Sequence, residues 1–210
     1  MIRRDLQMTD KINKILKIQD TLDAPSRLRE ILHNQVEREK VFEEMLDLFD
    51  HKLGFDWFSE YFQGTLADKK RQGQVFTPPY VANLLAMLMP VTNGFVSDPC
   101  AGTGVMTIAQ WIQAKQRKNY KPVDYRYICE ELSGQAIPFL IFNLALRGMN
   151  GVVVHCNVMT RESYGAFLIS NKDNNPDHFS IINRVAYDEH SERNLNVKFT
   201  SKLYPEHSEL

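Results

Sequence analysis

The stretch Val96-Ser97-Asp98-Pro99-Cys100-Ala101-Gly102-Thr103-Gly104 decides how the rest of this sequence is read. A short apolar strand ends in an acid, the chain turns through two glycines, and Val105 to Ala114 continues with apolar residues at helical spacing. Gly102 and Gly104 can take positive φ and bring bare backbone against a ligand, and Asp98 at the carboxyl end of the strand can bind a ligand amine. The spacing A-G-T-G is not the G-x-G-x-x-G dinucleotide fingerprint, and the G-K-[S/T] of a phosphate loop is absent. A pyrophosphate cradle is therefore disfavoured, and plain chain reversal is the competing reading of the turn.

Outward from this turn the chain alternates strands and helices. Tyr125 to Cys129 predicts a second strand and Ala136 to Leu146 a second helix; Gly151 to His155, rich in β-branched residues, predicts a third strand and Phe179 to Asn183 a fourth. Helices of this length between strands argue a parallel doubly wound sheet. Asn171 to Asp177 reads as an exposed polar loop. The second strand ends in Glu130-Glu131, and an acid at that tip can accept from both hydroxyls of a ribose bound over the first turn. Adjacent acids on a strand point to opposite faces, so one of the two serves and the other is a solvated charge.

Residues 1–72 read as helices only. Ile12, Ile15, Leu16 and Ile18 form a stripe that stops near Asp23-Ala24-Pro25, where the proline removes a donor. With Ser26 as N-cap, Leu28 to Phe49 continue at helical spacing, which predicts one long amphipathic helix to about Asp50. Phe55, Trp57, Phe58, Tyr61 and Phe62 predict a shorter helix whose aromatics belong to a core. Gly73-Gln74-Val75-Phe76-Thr77-Pro78-Pro79-Tyr80 then leads into the helix Val81 to Met89, with a proline suited to its first turn. Two domains follow, 1–72 helical and 73–210 α/β.

The 210 residues, 43% hydrophobic and 24% charged, describe an ordinary folded chain. No apolar run approaches a bilayer span and no signal peptide is evident, so the cytoplasm is the expected compartment. Cys100, Cys129 and Cys156 lack Cys-x-x-Cys spacing, so neither a disulfide framework nor a metal site is expected, and all three are read as reduced and buried. A net charge of −1 gives no basic nucleic-acid footprint.

Taken together, Gly-Gln-Val-Phe-Thr-Pro at 73–78, Asp-Pro-Cys-Ala-Gly-Thr-Gly at 98–104 and Glu131-Leu132-Ser133-Gly134 followed by Asn143-Leu144-Ala145-Leu146-Arg147-Gly148 resemble the amino-methyltransferases of DNA. The likeness is greatest to the modification subunits of type I restriction systems and their N-6 adenine methylase relatives. It covers about residues 45–160 and implies a Rossmann-like class I methyltransferase core that binds S-adenosyl-L-methionine. Carried onto this sequence, the resemblance places Phe76 and Thr77 at the methionine end of the cofactor. Asp98, Pro99, Cys100, Ala101, Gly102 and Gly104 would enclose its amino-acid portion. The register makes Glu131 the ribose ligand, packs Leu132 on adenine, and sets Asn157 where the family usually has an aspartate that accepts from the adenine amine.

The resemblance breaks at the fourth strand. The family ends it in Asn/Asp-Pro-Pro-Tyr/Phe, which holds the flipped target base. Here Asn183 stands near the place of the polar residue, but no proline follows and Tyr187 is one residue late, so Asn183 is the nearest catalytic candidate and no catalytic loop is assigned. Only 27 residues follow Asn183, against about three further strands in the family fold, so an incomplete sheet is expected, with an edge left open or covered by an oligomeric partner. Two functions stay open. One is an adenine DNA methyltransferase of restriction-modification type that meets DNA through a recognition partner. The other is a catalytically silent S-adenosylmethionine-binding or interaction homologue, such as a phage or plasmid decoy or a degenerate methylase. A small-molecule methyltransferase is disfavoured by the Gly-Gln-Val-Phe-Thr-Pro segment.

Overall fold

The computed structural model describes residues 2–65, 76–91 and 93–204, with the side chains of 2–6 and 65 left aside. Gly73, Gln74 and Val75 lie outside the described residues.

The N-terminal portion is helical throughout its described length, with α1 (Ile2–Leu16), a 3-10 turn (Thr21–Asp23), α2 (Ala24–His33), α3 (Gln35–Leu48) and α4 (Ser59–Thr65). The expected single helix from Ser26 to Asp50 is two. Asn34 interrupts it in an extended conformation, and its side chain accepts from the Glu37 amide at 3.1 Å, which caps α3. Ser26 is not the cap, because α2 starts at Ala24 with Pro25 in its first turn.

The α/β portion runs α5 (Pro79–Leu88), β1 (Gly94–Asp98), α6 (Val105–Lys115), β2 (Tyr125–Glu131), α7 (Ile137–Leu146), β3 (Gly151–Cys156), β4 (Glu162–Ser170), β5 (Ile181–Arg184), α8 (Glu189–Leu195) and β6 (Lys198–Phe199). The sheet order is β1-β2-β3-β4-β5, with β6 beside β4. β1, β2 and β3 are parallel, as the βα alternation requires. The next strand is not. β4 turns back antiparallel on β3, and β5 pairs antiparallel with β4 at the edge opposite β1, which returns it to the direction of β1–β3. The strand expected at 179–183 is therefore present as 181–184 and keeps the expected direction, but it sits on the far side of the sheet from the glycine turn, with β4 between it and the parallel strands. The described sheet is open and only partly parallel, an incomplete Rossmann-like core.

The two faces of the sheet are unequal. Tyr127, Cys129, Val153, Phe167, Ile169 and Ile182 share one continuous core with residues of α1, α2, α3, α6 and α7, so the N-terminal helices and the α/β portion bury a common interior. Phe42, Phe58, Phe62, Phe139 and Phe142 interlock there in edge-to-face pairs, with ring centroids of 4.6 Å for Phe42 and Phe142. On the other face, Val154 and Ala166 pack against Val197 and Leu195 around α8, while Phe95, Ile128 and Val152 line an open hollow of about 800 Å3. Among the described residues the second helical layer of a doubly wound sheet is reduced to this one short helix.

Candidate functional site

The carboxyl ends of β1 and β2 create the site, because parallel strands there release their chains into loops on the same side. After β1 the turn is as tight as its glycines allow. Gly102 has φ +56° and Gly104 φ +108°, and the Gly104 amide donates to the Ala101 carbonyl at 2.8 Å. A Cβ on Gly102 would stand 2.8 Å from Cε1 of Phe76, so the absent side chain lets the Phe76 ring lie over the turn.

Glu131 fastens the two loops to each other. Its Oε2 accepts from the Gly102 amide at 2.8 Å and its Oε1 from the Ser133 amide at 2.6 Å. Burial raises its pKa against the lowering effect of these amides. Glu130 leaves the strand toward the opposite face, where Arg161 grips it with two bonds of 2.6 and 3.1 Å. The two acids thus have different tasks, with Glu131 at the cleft and Glu130 in an ion pair.

Phe76, Thr77, Pro99, Cys100, Ala101, Gly102, Glu131, Leu132 and Asn157 line a single cleft of about 360 Å3. These are nine of the residues singled out by sequence. Asp98 and Gly104 are not on its wall. The Asp98 carboxylate turns under the turn to accept from the Thr107 hydroxyl at 2.9 Å, and burial raises its pKa. Gly104 faces Leu140, which would lie 3.1 Å from an added Cβ. Val105, Met106, Cys156, Val158 and Met159 complete the lining. Sequence reasoning passed over Val105, Met106 and Met159, because an apolar residue in a first helical turn or a hairpin carries no polar signature.

One expectation, the burial of Cys100, is corrected here. Cys100 is exposed, while Cys129 and Cys156 are buried; all three are free. Asn157 reaches the cleft wall, but its Oδ1 accepts from the amides of Met159 and Thr160 at 2.9 and 3.3 Å. It closes the β3–β4 hairpin as an Asx turn, which commits the amide oxygen to backbone. Asn183 pairs with Leu168 on the distant edge strand and does not line the cleft.

Two devices, one buried and one half-buried, hold the loops, and neither is visible in the sequence. Asp56, in the segment before α4, is fully enclosed. It accepts from the Thr103 hydroxyl, from Asn143 Nδ2 at 2.8 Å and from the Phe58 amide at 2.9 Å, and burial pushes its pKa up. Asn143 also donates to the Thr103 carbonyl at 2.8 Å, while Arg147 donates to Asn143 Oδ1 at 2.8 Å and to the carbonyls of Leu53 and Phe55. The apex of the glycine turn is thereby tied to α7 and to the N-terminal helices. At the other loop, Arg29 of α2 donates to the Gly134 carbonyl at 2.8 Å.

His155 lies beneath that same loop, with Nε2 3.1 Å from the Leu132 carbonyl and Nδ1 2.9 Å from the Tyr204 hydroxyl. With Nε2 donating and the tyrosine donating to Nδ1, the ring is neutral, and burial pushes its pKa down from 6.5 to about 4. A base whose pKa is depressed by folding contributes stability that is complete above its unfolded value and is lost as pH falls toward its folded value. We expect wild type to lose on the order of 3 kcal/mol relative to His155→Gln between about pH 7 and pH 4, read from urea unfolding. A difference that does not change with pH would contradict the neutral ring.

A model of the N-6 DNA Methylase family matches residues 53–203, most of the chain. The fold is that of a mixed α/β protein with an incomplete Rossmann-like core, and the chain belongs to the N-6 DNA methylase family. No curated protein and no solved structure matches it. Among the described residues no cluster of metal-ligating side chains occurs, and no helix is long and apolar enough to cross a membrane.

Proposed function

We propose that the cleft between the glycine turn and the end of β2 binds S-adenosyl-L-methionine, and that this chain is the cofactor-holding part of an adenine-methylating system. The observation that carries the reading is the gathering of Phe76, Thr77, the 99–102 turn, Glu131 and Leu132 around one cavity. Its volume of about 360 Å3 lies within the ~300–1,000 Å3 usual for small-ligand sites. The fit is chemical as well. Glu131 retains acceptor capacity for ribose hydroxyls, Leu132 and Met106 offer apolar surface to a base, and the turn offers backbone without a Cβ at Gly102. When bound, the cofactor supplies an electrophilic methyl group on sulfonium; the residues of the cleft orient it and exclude water from one side.

Among the described residues the base-holding half of the reaction has no counterpart lining this cleft. The sequence contains no Asn- or Asp-Pro-Pro tetrapeptide, and Asn183 is at the opposite sheet edge. This favours a chain that binds cofactor without transferring methyl on its own, either as a subunit dependent on a DNA-recognising partner or as a silent interaction homologue. With tritiated S-adenosylmethionine and unmodified DNA, the isolated chain is expected to incorporate no label above background into adenine. Robust turnover by the chain alone would overturn this half of the reading while leaving cofactor binding intact.

A further inference from the structure

Behind the cleft, two buried side chains that line no part of it, His155 and Tyr204, hold one of its peptide units. The Leu132–Ser133 peptide is fixed on both sides. Its N–H, from Ser133, donates to Glu131 Oε1 at 2.6 Å, and its carbonyl, from Leu132, meets His155 Nε2 at 3.1 Å. A carbonyl only accepts, so Nε2 carries the proton; on a neutral ring Nδ1 is then the acceptor, and the Tyr204 hydroxyl 2.9 Å away is the donor. The three bonds run in one direction, from Tyr204 through the imidazole and the peptide to the Glu131 carboxylate, and bonds aligned in this way polarise one another. The other oxygen of that carboxylate accepts from the Gly102 amide at 2.8 Å, so the chain of bonds ends in the glycine turn. Tyr204 is itself placed by β5 and the segment that follows it. Its carbonyl accepts from Arg184 at 3.0 Å, its amide donates to the Tyr187 hydroxyl at 3.2 Å, and that hydroxyl donates to the Tyr164 carbonyl at 2.9 Å. Gly165 makes the room, since a Cβ there would stand 2.5 Å from Cδ2 of Tyr204.

We infer that His155 and Tyr204 are positioning residues of the cleft: together they set the tilt of the Leu132–Ser133 peptide, and through it the Glu131 carboxylate and the Leu132 side chain that face the ligand. Tyr204 fixes the tautomer, and His155 supplies the donor. Without that donor the Leu132 carbonyl loses its partner, and a peptide that turns to find another draws the Ser133 N–H away from Glu131. With it, the acceptor and the apolar wall are already in place when a ligand arrives, which lowers the cost of ordering them on binding. The inference rests on the cofactor reading for the identity of the ligand; the link from Tyr204 to Glu131 stands on the hydrogen bonds alone.

Titration calorimetry of the full chain with S-adenosyl-L-methionine near neutral pH, read beside hydrogen exchange of the Ser133 amide, tests it. His155→Asn keeps an acceptor near the place of Nδ1 and deletes the Nε2 donor; it is expected to weaken binding and to speed Ser133 exchange by about 2- to 10-fold each, the worth of one neutral hydrogen bond. His155→Gln puts an amide donor near the place of Nε2 and is expected to recover both toward wild type. Tyr204→Phe removes only a hydroxyl and is expected to act in the same direction as His155→Asn with an unchanged circular dichroism spectrum, so it reads the same link should His155→Asn fail to fold. Equal losses in His155→Asn and His155→Gln would make the ring a filler of the core and overturn the inference. Wild-type affinity in His155→Asn or in Tyr204→Phe would overturn it as well. Should the wild type bind no S-adenosylmethionine, the cofactor reading fails by itself and Ser133 exchange decides the link: faster in His155→Asn and recovered in His155→Gln upholds it, and unchanged exchange overturns it.

Discussion

Asp56→Ala is expected to lower the free energy of unfolding by about 3–5 kcal/mol, the cost of removing one member of a buried charged network. Three donors converge on this carboxylate, from Thr103, Asn143 and the Phe58 amide, and truncation leaves all three without their acceptor in a dry interior. Arg147 suffers too. Its guanidinium is completely buried, burial has pulled its pKa down to about 10, and the charge of Asp56 is what opposes that shift. The carbonyls of Leu53 and Phe55 and the face of Trp57, 5.2 Å away, still hold the guanidinium but do not neutralise it. Asp56→Asn retains an acceptor and the side-chain volume, so a smaller loss of about 1–2 kcal/mol is expected. Urea unfolding followed by tryptophan fluorescence reads both. A cost for Asp56→Ala below about 1 kcal/mol would show that the network does not hold the glycine turn to the helical layer.

Glu131→Ala is expected to weaken S-adenosylmethionine binding by on the order of 10- to 100-fold, since hydrogen bonds to a charged acceptor are worth about 1.5–3 kcal/mol. The loss has two sources: the acceptor for the ribose hydroxyls goes, and the Gly102 and Ser133 amides lose the group that draws the two loops together. Glu131→Gln separates them. The amide oxygen can hold one loop but lacks the charge, so its affinity is expected to fall between wild type and Glu131→Ala. Glu130→Gln breaks the pair with Arg161 on the opposite face and is expected to leave affinity unchanged. Equal losses for Glu130→Gln and Glu131→Gln would mean that the strand end is sensitive as a whole and that neither acid reads the ribose.

What the sequence disclosed, and what it withheld, follows from the range of the interactions involved. The turn at 98–104 was legible because an acid and two glycines after an apolar strand are expensive unless the backbone needs them. Glu131 was separable from Glu130 because neighbours on a strand must face opposite ways, and the matched register then chose between them. β4 was not legible. Gly165 breaks its alternation, the register with β3 shifts between His155 and Cys156, and the two strands are joined only through the Asx turn at Asn157. Once β4 turns back, β5 reverses again at the far edge, so the strand at 179–183 keeps the direction expected of it and what the sequence hid is the antiparallel β4 inserted before it. The same period-2 pattern serves either direction. Asp56 was silent for another reason: its partners Thr103 and Asn143 are 47 and 87 residues away in the chain, and no local pattern marks an acid as the hub of a distant network.

Isothermal titration of the wild-type chain with S-adenosyl-L-methionine, with ATP as the comparison ligand, tests the central claim most directly. Both ligands carry adenosine, but only ATP needs a phosphate cradle, which the A-G-T-G turn does not provide. The account predicts saturable binding of one S-adenosylmethionine per chain and no measurable heat from ATP. No binding of S-adenosylmethionine by folded protein, or binding of ATP with equal affinity, would contradict it.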